Sequence, residues 1–356
     1  MNVKKIIAGA AILLALTSSV FAAKAKKSDK LKVVTTIFPE YDWTREIIGD
    51  KAANVELTLL LGNGVDLHSY QPSIQDIAKI STADIFIYVG GESDGWVNDA
   101  LKNAKNKNMK VINLLETLGD KVKAEEVKEG MQAEEEDEHE HHHDGNHHDD
   151  DEDEDDDDHD HEAEDHHHHH HHDDEDKVEY DEHVWLSLRN TKFLCAEIAT
   201  ALSEKDPSNA ATYKANLAAY TARLDSLDTK YAAAVKAGSK KTILFGDRFP
   251  FRYLVDDYGL DYFAAFVGCS AETEASFETV IFLSKKVDEL GLNTVLKIES
   301  GDGKIARTII QNTKKKNAKI LTLDSIQSTT AKQAAAGASY LKIMEENLAV
   351  LSEALK

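Results

Sequence analysis

One acidic segment, residues 134–176, limits how the rest of this chain can fold. Its 43 positions hold 25 Asp or Glu and 15 His, and the other three are Gly145, Asn146 and Ala163. Without this segment the formal net charge rises from −24 to near zero, so the acidity does not belong to the folded body. So few apolar side chains cannot offset the entropy lost on ordering. We therefore expect a disordered, solvated insert that interrupts an otherwise ordinary globular chain.

The histidines of this segment indicate metal capture rather than a simple solvating spacer. Neutral imidazole is a common protein ligand for zinc and similar ions. The histidine blocks are internal and alternate with carboxylates, which a purification tag does not need. The predicted low-affinity metal ligands are His139, His141, His142, His143, His147, His148, His159, His161, His166, His167, His168, His169, His170, His171 and His172.

The N-terminal residues 1–23 are typical of a secretory signal peptide. Lys4 and Lys5 precede an apolar run over residues 6–21, which ends in Ala22 and Ala23. The run is short for a membrane-spanning helix. No Cys follows it to carry a lipid, so we expect a soluble periplasmic protein rather than a lipoprotein.

The chain has two cysteines, Cys195 and Cys269. An oxidising compartment would allow one disulfide between them, but their positions do not reveal pairing. We favour two small, buried thiols.

Strand and helix patterns alternate on both sides of the insert. Runs rich in β-branched residues predict strands over residues 31–38, 55–61, 84–89 and 109–115, and again over 242–245, 262–267, 294–298 and 319–323. Helical patterns lie between them, which indicates parallel sheets covered by helices. The predicted fold class is α/β, with two lobes that each contain a parallel sheet flanked by helices, joined by one long rigid helix.

The joining helix is predicted over residues 206–237. Asp206 and Pro207 suit its N-terminus, and apolar side chains recur from Tyr213 to Val235 at spacings of three and four. A coiled-coil dimer seam is the alternative, but a helix that spans both lobes of a monomer is favoured. The predicted domains are an N-terminal lobe over residues 31–205, this helix, and a C-terminal lobe over residues 240–356.

Two histidines outside the insert are candidate ligands. His68 lies in DLHSYQPS, residues 66–73, after the second predicted strand, and His183 lies in DEHVWLS, residues 181–187, where ordered sequence resumes. Ligands of α/β proteins bind beyond the carboxyl ends of strands, and two facing lobes place that site in a cleft. A lone histidine is more often structural than a ligand, so the pattern alone leaves both interpretations open.

These motifs, together with residues 206–228 and GCSAETEASFE at residues 268–278, resemble the substrate-binding proteins of bacterial metal-uptake ABC transporters, the zinc and manganese group. The resemblance implies a cleft metal site with two histidines from the first lobe, here His68 and His183. It also implies a third histidine and an acidic ligand from the second lobe, and a membrane permease as partner. An acidic, His-rich loop is implied for the zinc-transporting members.

The second lobe departs from that pattern. The third histidine falls on Gly246, and Asp247 is the nearest replacement, although Arg248 could hold Asp247 in a salt bridge. The acidic ligand falls on Glu299. The expected metal ligands are therefore His68, His183, Glu299 and Asp247. We expect Asp66 to support a ligand, and Glu272 and Glu274 to be solvated loop residues.

The expected function is capture of Zn²⁺ in the cleft and delivery to a permease, with the insert as a low-affinity collector. More oxygen ligands would suit Mn²⁺, but the His-rich insert favours zinc. A manganese carrier, a zinc buffer without a transporter and an adhesin remain alternatives. No HExxH motif or general base indicates a metallohydrolase, so no enzyme activity is expected. No basic patch suits nucleic acid.

Overall fold

The computed structural model describes residues 30–132, 178–270 and 274–356. The predicted signal peptide, the insert with its fifteen histidines, and Glu272 lie outside the described residues.

The first lobe is built on a parallel sheet. Its elements are β1 (Leu31–Thr35), α1 (Phe38–Ile48), β2 (Val55–Leu59), α2 (Ile74–Ser81), β3 (Ile85–Tyr88), α3 (Val97–Lys102), β4 (Lys110–Asn113) and α4 (Leu114–Leu118). The strand order is β2-β1-β3-β4, and Val33 on β1 lies beside both Leu57 and Ile85. The central strand β3 is buried along its whole length, as expected of a parallel strand with both faces covered.

Two long helices follow, α5 (Leu188–Lys205) and α6 (Ala210–Ala237). The 28 residues of α6 span about 42 Å at 1.5 Å per residue. Its apolar stripe is buried within the chain against α1, α5 and the C-terminal helix, where the Tyr231 hydroxyl donates to the Met344 carbonyl at 2.6 Å. The stripe therefore has an intramolecular partner, which a coiled-coil seam would not have.

The second lobe repeats the alternation with shorter strands. Its elements are β5 (Thr242–Leu244), β6 (Arg248–Phe249), α7 (Arg252–Tyr258), β7 (Asp261–Phe263), β8 (Phe266–Val267), α8 (Phe277–Leu290), β9 (Thr294–Lys297), α9 (Lys304–Asn312), β10 (Lys319–Thr322), α10 (Ala331–Ala335) and α11 (Tyr340–Ala354). The pairs β5–β7, β6–β8 and β9–β10 are all parallel, and a bridge between Phe245 and Leu296 links β5 to β9. The predicted fold class is confirmed.

Two elements differ from their predicted form. The strand predicted over residues 262–267 is divided into β7 and β8, because the chain leaves β5 after Phe263 and pairs next with β6. The helical pattern of residues 334–355 predicts one closing helix, but the structure has two, α10 and α11. The Ser339 side chain accepts the Lys342 N–H and starts α11 as a new helix. The domain boundaries stay a prediction.

The two lobes share one continuous apolar core. It includes Trp43 and Phe86 from the first lobe, Tyr231 from α6, and Phe245 and Tyr340 from the second. A smaller core lies between α8, α9 and β9. Among the residues described, none of the helices combines the length and apolar character needed to cross a membrane. Shared packing of this kind ties the lobes together along α6.

Candidate metal centre

His68 lies on a short turn, Leu67–Ser69, that follows β2. The Asp66 carboxylate accepts the His68 N–H at 3.1 Å, and buried Leu67 anchors the turn in the core. The His68 ring is nearly buried. Its Nδ1 atom lies 2.8 Å from the Ser93 hydroxyl and 3.5 Å from Glu182 Oε2. These contacts direct Nε2 into the space between the lobes.

His183 is fully buried at the start of the turn Val184–Leu186. The Asp181 carboxylate accepts its backbone N–H at 2.8 Å, and Asp181 Oδ1 lies 3.0 Å from the ring Nδ1. Because a carboxylate only accepts hydrogen bonds, Nδ1 donates the proton of this contact, and Nε2 is the ring nitrogen that faces His68. The turn is fixed to the second lobe, since the Trp185 indole N–H donates to the Ser325 carbonyl at 2.9 Å.

The two imidazoles converge. Their Nε2 atoms are 3.2 Å apart and their ring centroids 5.2 Å apart. Two nitrogens bound to the same tetrahedral zinc ion, each at about 2.0–2.1 Å, would be about 3.4 Å apart. Burial, and then the proximity of His183, lower the pKa of His68 to about 3. His68 is therefore neutral at physiological pH, which is the form that binds metal.

A thiol lies beside the histidine pair. In the described parts of the chain, one group of His, Cys, Asp or Glu residues has ligand atoms that all lie within 4.8 Å of one another, namely His68, His183 and Cys269. The two cysteines are free, Cys195 buried and Cys269 only partly so. We expected Cys269 to be a small buried thiol, so sequence reasoning missed its position. Its one signal was its place just after a predicted strand.

Glu299 does not belong to this group. Its Oε2 atom accepts the Ser325 N–H at 2.7 Å, and its Oε1 atom accepts hydrogen bonds from the Ser325 and Ser328 hydroxyls at 2.9 and 3.0 Å. It therefore secures the loop that follows β10. That loop carries Gln327, whose Nε2 atom lies 3.4 Å from His68 Nε2.

Asp247 also lies outside the group. It accepts the backbone N–H of Arg248 at 3.0 Å and that of Ile298 at 3.3 Å. A Cβ atom at Gly246 would lie 2.5 Å from the Ala306 Cα atom, so the backbone there leaves no space for a histidine. Gly246 and Asp247 therefore pack against the chain that follows β9, through Ala306 and Ile298 respectively.

Arg248 pairs with Asp66 rather than Asp247, so the salt bridge weighed from the sequence is replaced by one between the lobes. The Arg248 guanidinium also donates to Gln327 Oε1 at 3.1 Å. Burial alone would raise the pKa of Asp66, but the charge of Arg248 and the hydrogen bonds from Arg248 and the His68 N–H hold it below its usual value. Asp66 thus supports the His68 turn as a carboxylate. Glu274 is exposed and pairs with Lys304.

A cavity of about 420 Å³ borders the site between the lobes. Asp66 and Ser69 line it from the first lobe, and Arg248, Ser270 and Asp302 line it from the second. The histidine pair therefore lies next to an interlobe cleft.

Comparisons with known proteins agree with this architecture. A family model described as ZnuA, zinc-uptake complex component A, periplasmic, matches residues 33–354. The zinc-binding protein AdcA of Streptococcus pyogenes serotype M3 is 29% identical over 322 residues, which are 90% of this chain and 55% of AdcA. The chain thus spans about half the length of the AdcA proteins. The high-affinity zinc uptake system protein ZnuA of Bacillus subtilis is 28% identical, over 95% of this chain and 92% of that protein.

Solved structures share the fold. The Zn(II)-bound ZnuA-like domain of Streptococcus pneumoniae AdcA has a TM-score of 0.63 at 26% identity, over 92% of this chain and 99% of that one. The metal-dependent lipoprotein YcdH of Bacillus subtilis has a TM-score of 0.66 at 25% identity, with the same coverage.

Proposed function

Because this chain belongs to the ZnuA family of zinc-uptake components, we propose that it binds Zn²⁺ between its lobes and delivers it to the membrane permease of an ABC-type transporter. The observation that carries the proposal is the His68–His183 pair, with Nε2 atoms 3.2 Å apart beside the interlobe cleft. We propose a monomer that works in the periplasm, where the family's described component resides.

The donor chemistry favours zinc over manganese. Two imidazoles and a nearby thiol are ligands that Zn²⁺ binds well, whereas Mn²⁺ prefers carboxylate and water oxygens. Glu299 and Asp247 could add oxygen ligands, but each already accepts backbone hydrogen bonds within the second lobe. We therefore propose that Glu299 and Asp247 stabilise the second-lobe loops beside the cleft and do not bind the metal.

The residues behind the histidines complete the binding site. Asp181 orients His183, while Ser93 and Glu182 lie against Nδ1 of His68. A carboxylate or hydroxyl on the second ring nitrogen fixes the tautomer and makes the first nitrogen a stronger ligand.

We propose that residues 134–176 collect zinc weakly and raise its local concentration at the cleft. The described chain reaches this segment at Gln132, whose N–H donates to the Ala265 carbonyl at 2.9 Å. It resumes at Val178, five positions before His183. A tethered, ligand-rich segment holds its metal at roughly millimolar effective concentration near a site to which it is linked. Imidazole must lose its proton to bind, so this capture weakens as the pH falls through the imidazole range.

Zinc titration of three metal-free proteins tests the proposal: the wild type, a deletion of residues 134–176, and His68→Ala. We expect one tight site plus several weak ones in the wild type, only the tight site in the deletion variant, and only the weak sites in His68→Ala. Loss of the tight site on deletion would disprove binding in the cleft. Growth of a strain that lacks its own zinc-binding component, on limiting zinc, then separates a transport component from a buffer, since only the former restores growth.

A further inference from the structure

We infer that the Cys269 thiolate is a third protein ligand of the zinc ion, contributed by the second lobe. The inference rests on the proposed function and identifies the group that completes its site. Cys269 is the second-lobe member of the cluster whose ligand atoms lie within 4.8 Å of one another.

The fold brings this cysteine to the histidines by a close backbone approach. Cys269 follows β8, which pairs with β6. A Cβ atom at Gly268 would lie 3.1 Å from His183 Cε1 and 2.9 Å from the Phe249 carbonyl oxygen. A glycine lets the backbone come this close to the imidazole, whereas a larger residue would push the loop away. The Cys269 N–H donates to Glu125 Oε1 at 3.1 Å and fixes the loop from the other side.

The distances between the Cys269 sulfur and the two histidine nitrogens allow all three atoms to bind one ion after a small shift of the side chains. With Zn–S of about 2.3 Å and Zn–N of about 2.0–2.1 Å, sulfur and nitrogen on a tetrahedral ion are about 3.6 Å apart. A ligand group within 4.8 Å needs a shift of about 1 Å at most to meet that value. Binding forms the Zn–S bond as the thiol S–H bond breaks, and the proton leaves to solvent.

Other second-lobe candidates are already engaged. The Glu299 carboxylate accepts hydrogen bonds from Ser325 and Ser328, and Asp247 accepts two backbone N–H groups. Position 246 has no space for a side chain. A thiolate at 269 would join the lobes through the metal, and its soft sulfur would favour zinc and cadmium over manganese.

Cobalt substitution of the full chain tests the inference, because a thiolate bound to Co²⁺ gives a sulfur-to-metal charge-transfer band in the near ultraviolet. One equivalent of Co²⁺ is added to the wild type, Cys269→Ser, Cys269→Ala and the matched control Cys195→Ala, which removes the chain's other thiol. We expect the band in the wild type and the control, and its loss in both Cys269 variants. Circular dichroism of the metal-free proteins checks that all four are folded.

Zinc affinity gives the second measurement. Loss of a residue that only supports a ligand typically costs about 10–100-fold in metal affinity. Cys269→Ser removes a ligand itself and should therefore weaken zinc binding by about 100-fold, with no change in Cys195→Ala. A folded Cys269→Ser protein that keeps the band or the wild-type affinity overturns the inference. His68→Ala separates the two proposals. If it loses tight binding while Cys269→Ser does not, only the thiolate ligand is wrong; if it keeps tight binding, the cleft site itself is wrong.

Discussion

Asp94 is a buried carboxyl behind the metal centre, and its neutralisation should change how stability depends on pH. Its Oδ2 atom accepts the Gly90 N–H at 3.0 Å. Its Oδ1 atom is buried without a hydrogen-bond partner among the described residues. Burial raises the pKa of Asp94 from 3.8 to about 7, and the charge of Glu182 adds to the effect. The folded protein therefore holds a proton on Asp94 that the unfolded chain has already released.

The size of the effect follows from the two pKa values. A carboxyl whose pKa is raised on folding contributes stability below its unfolded value, and this is lost as the pH rises through the folded value. Each unit of pKa difference corresponds to about 1.4 kcal/mol. Between pH 5 and pH 8, Asp94 should therefore lower the free energy of unfolding by about 3 kcal/mol. Asp94→Asn carries no charge and should not show this loss.

The assay is urea unfolding of the metal-free wild type and Asp94→Asn at pH 5, 6, 7 and 8. The variant should gain stability relative to the wild type as the pH rises, by about 3 kcal/mol over the series. Any constant effect of the amide shifts all points equally and does not affect the test. Asp99→Asn is the matched control, because Asp99 is an exposed carboxylate paired with Lys102. A stability difference that is flat with pH, or that falls, would refute the assignment of a buried, protonated carboxyl.

Three further substitutions test other parts of the structure. Gly246→Ala should destabilise the fold by about 1–3 kcal/mol in urea unfolding, because its Cβ atom would meet backbone at 2.5 Å; unchanged stability would show that the backbone can yield. Trp185→Phe should cost about 1–3 kcal/mol in the same assay, since the buried Ser325 carbonyl loses its donor; a neutral result would mean that the carbonyl finds another partner. Arg248→Met should tighten zinc binding roughly tenfold at low salt, and the gain should shrink as salt is added; weaker binding would show that Arg248 is needed to shape the cleft near His68.

The sequence by itself determined the architecture. Hydrophobic periodicity is a local property, so the alternation of strands and helices and the apolar stripe of α6 could be read directly and agree with the structure. It also singled out His68 and His183, since they are the histidines outside the insert: His68 follows the second predicted strand, and His183 lies where ordered sequence resumes after the insert. The predicted bounds of a helix were wrong where an interruption divides it, as at Ser339, whose side chain caps the start of α11.

Only the tertiary structure decided which second-lobe group faces the histidines. The family resemblance placed the acidic ligand on Glu299 and left Asp247 as the nearest replacement for the third histidine, but hydrogen-bond partners elsewhere in the second lobe already hold both side chains. Cys269 reaches the pair because the backbone at Gly268 presses against His183. Such contacts join segments far apart in the chain, and their distances depend on how whole lobes pack. No local pattern of residues encodes them.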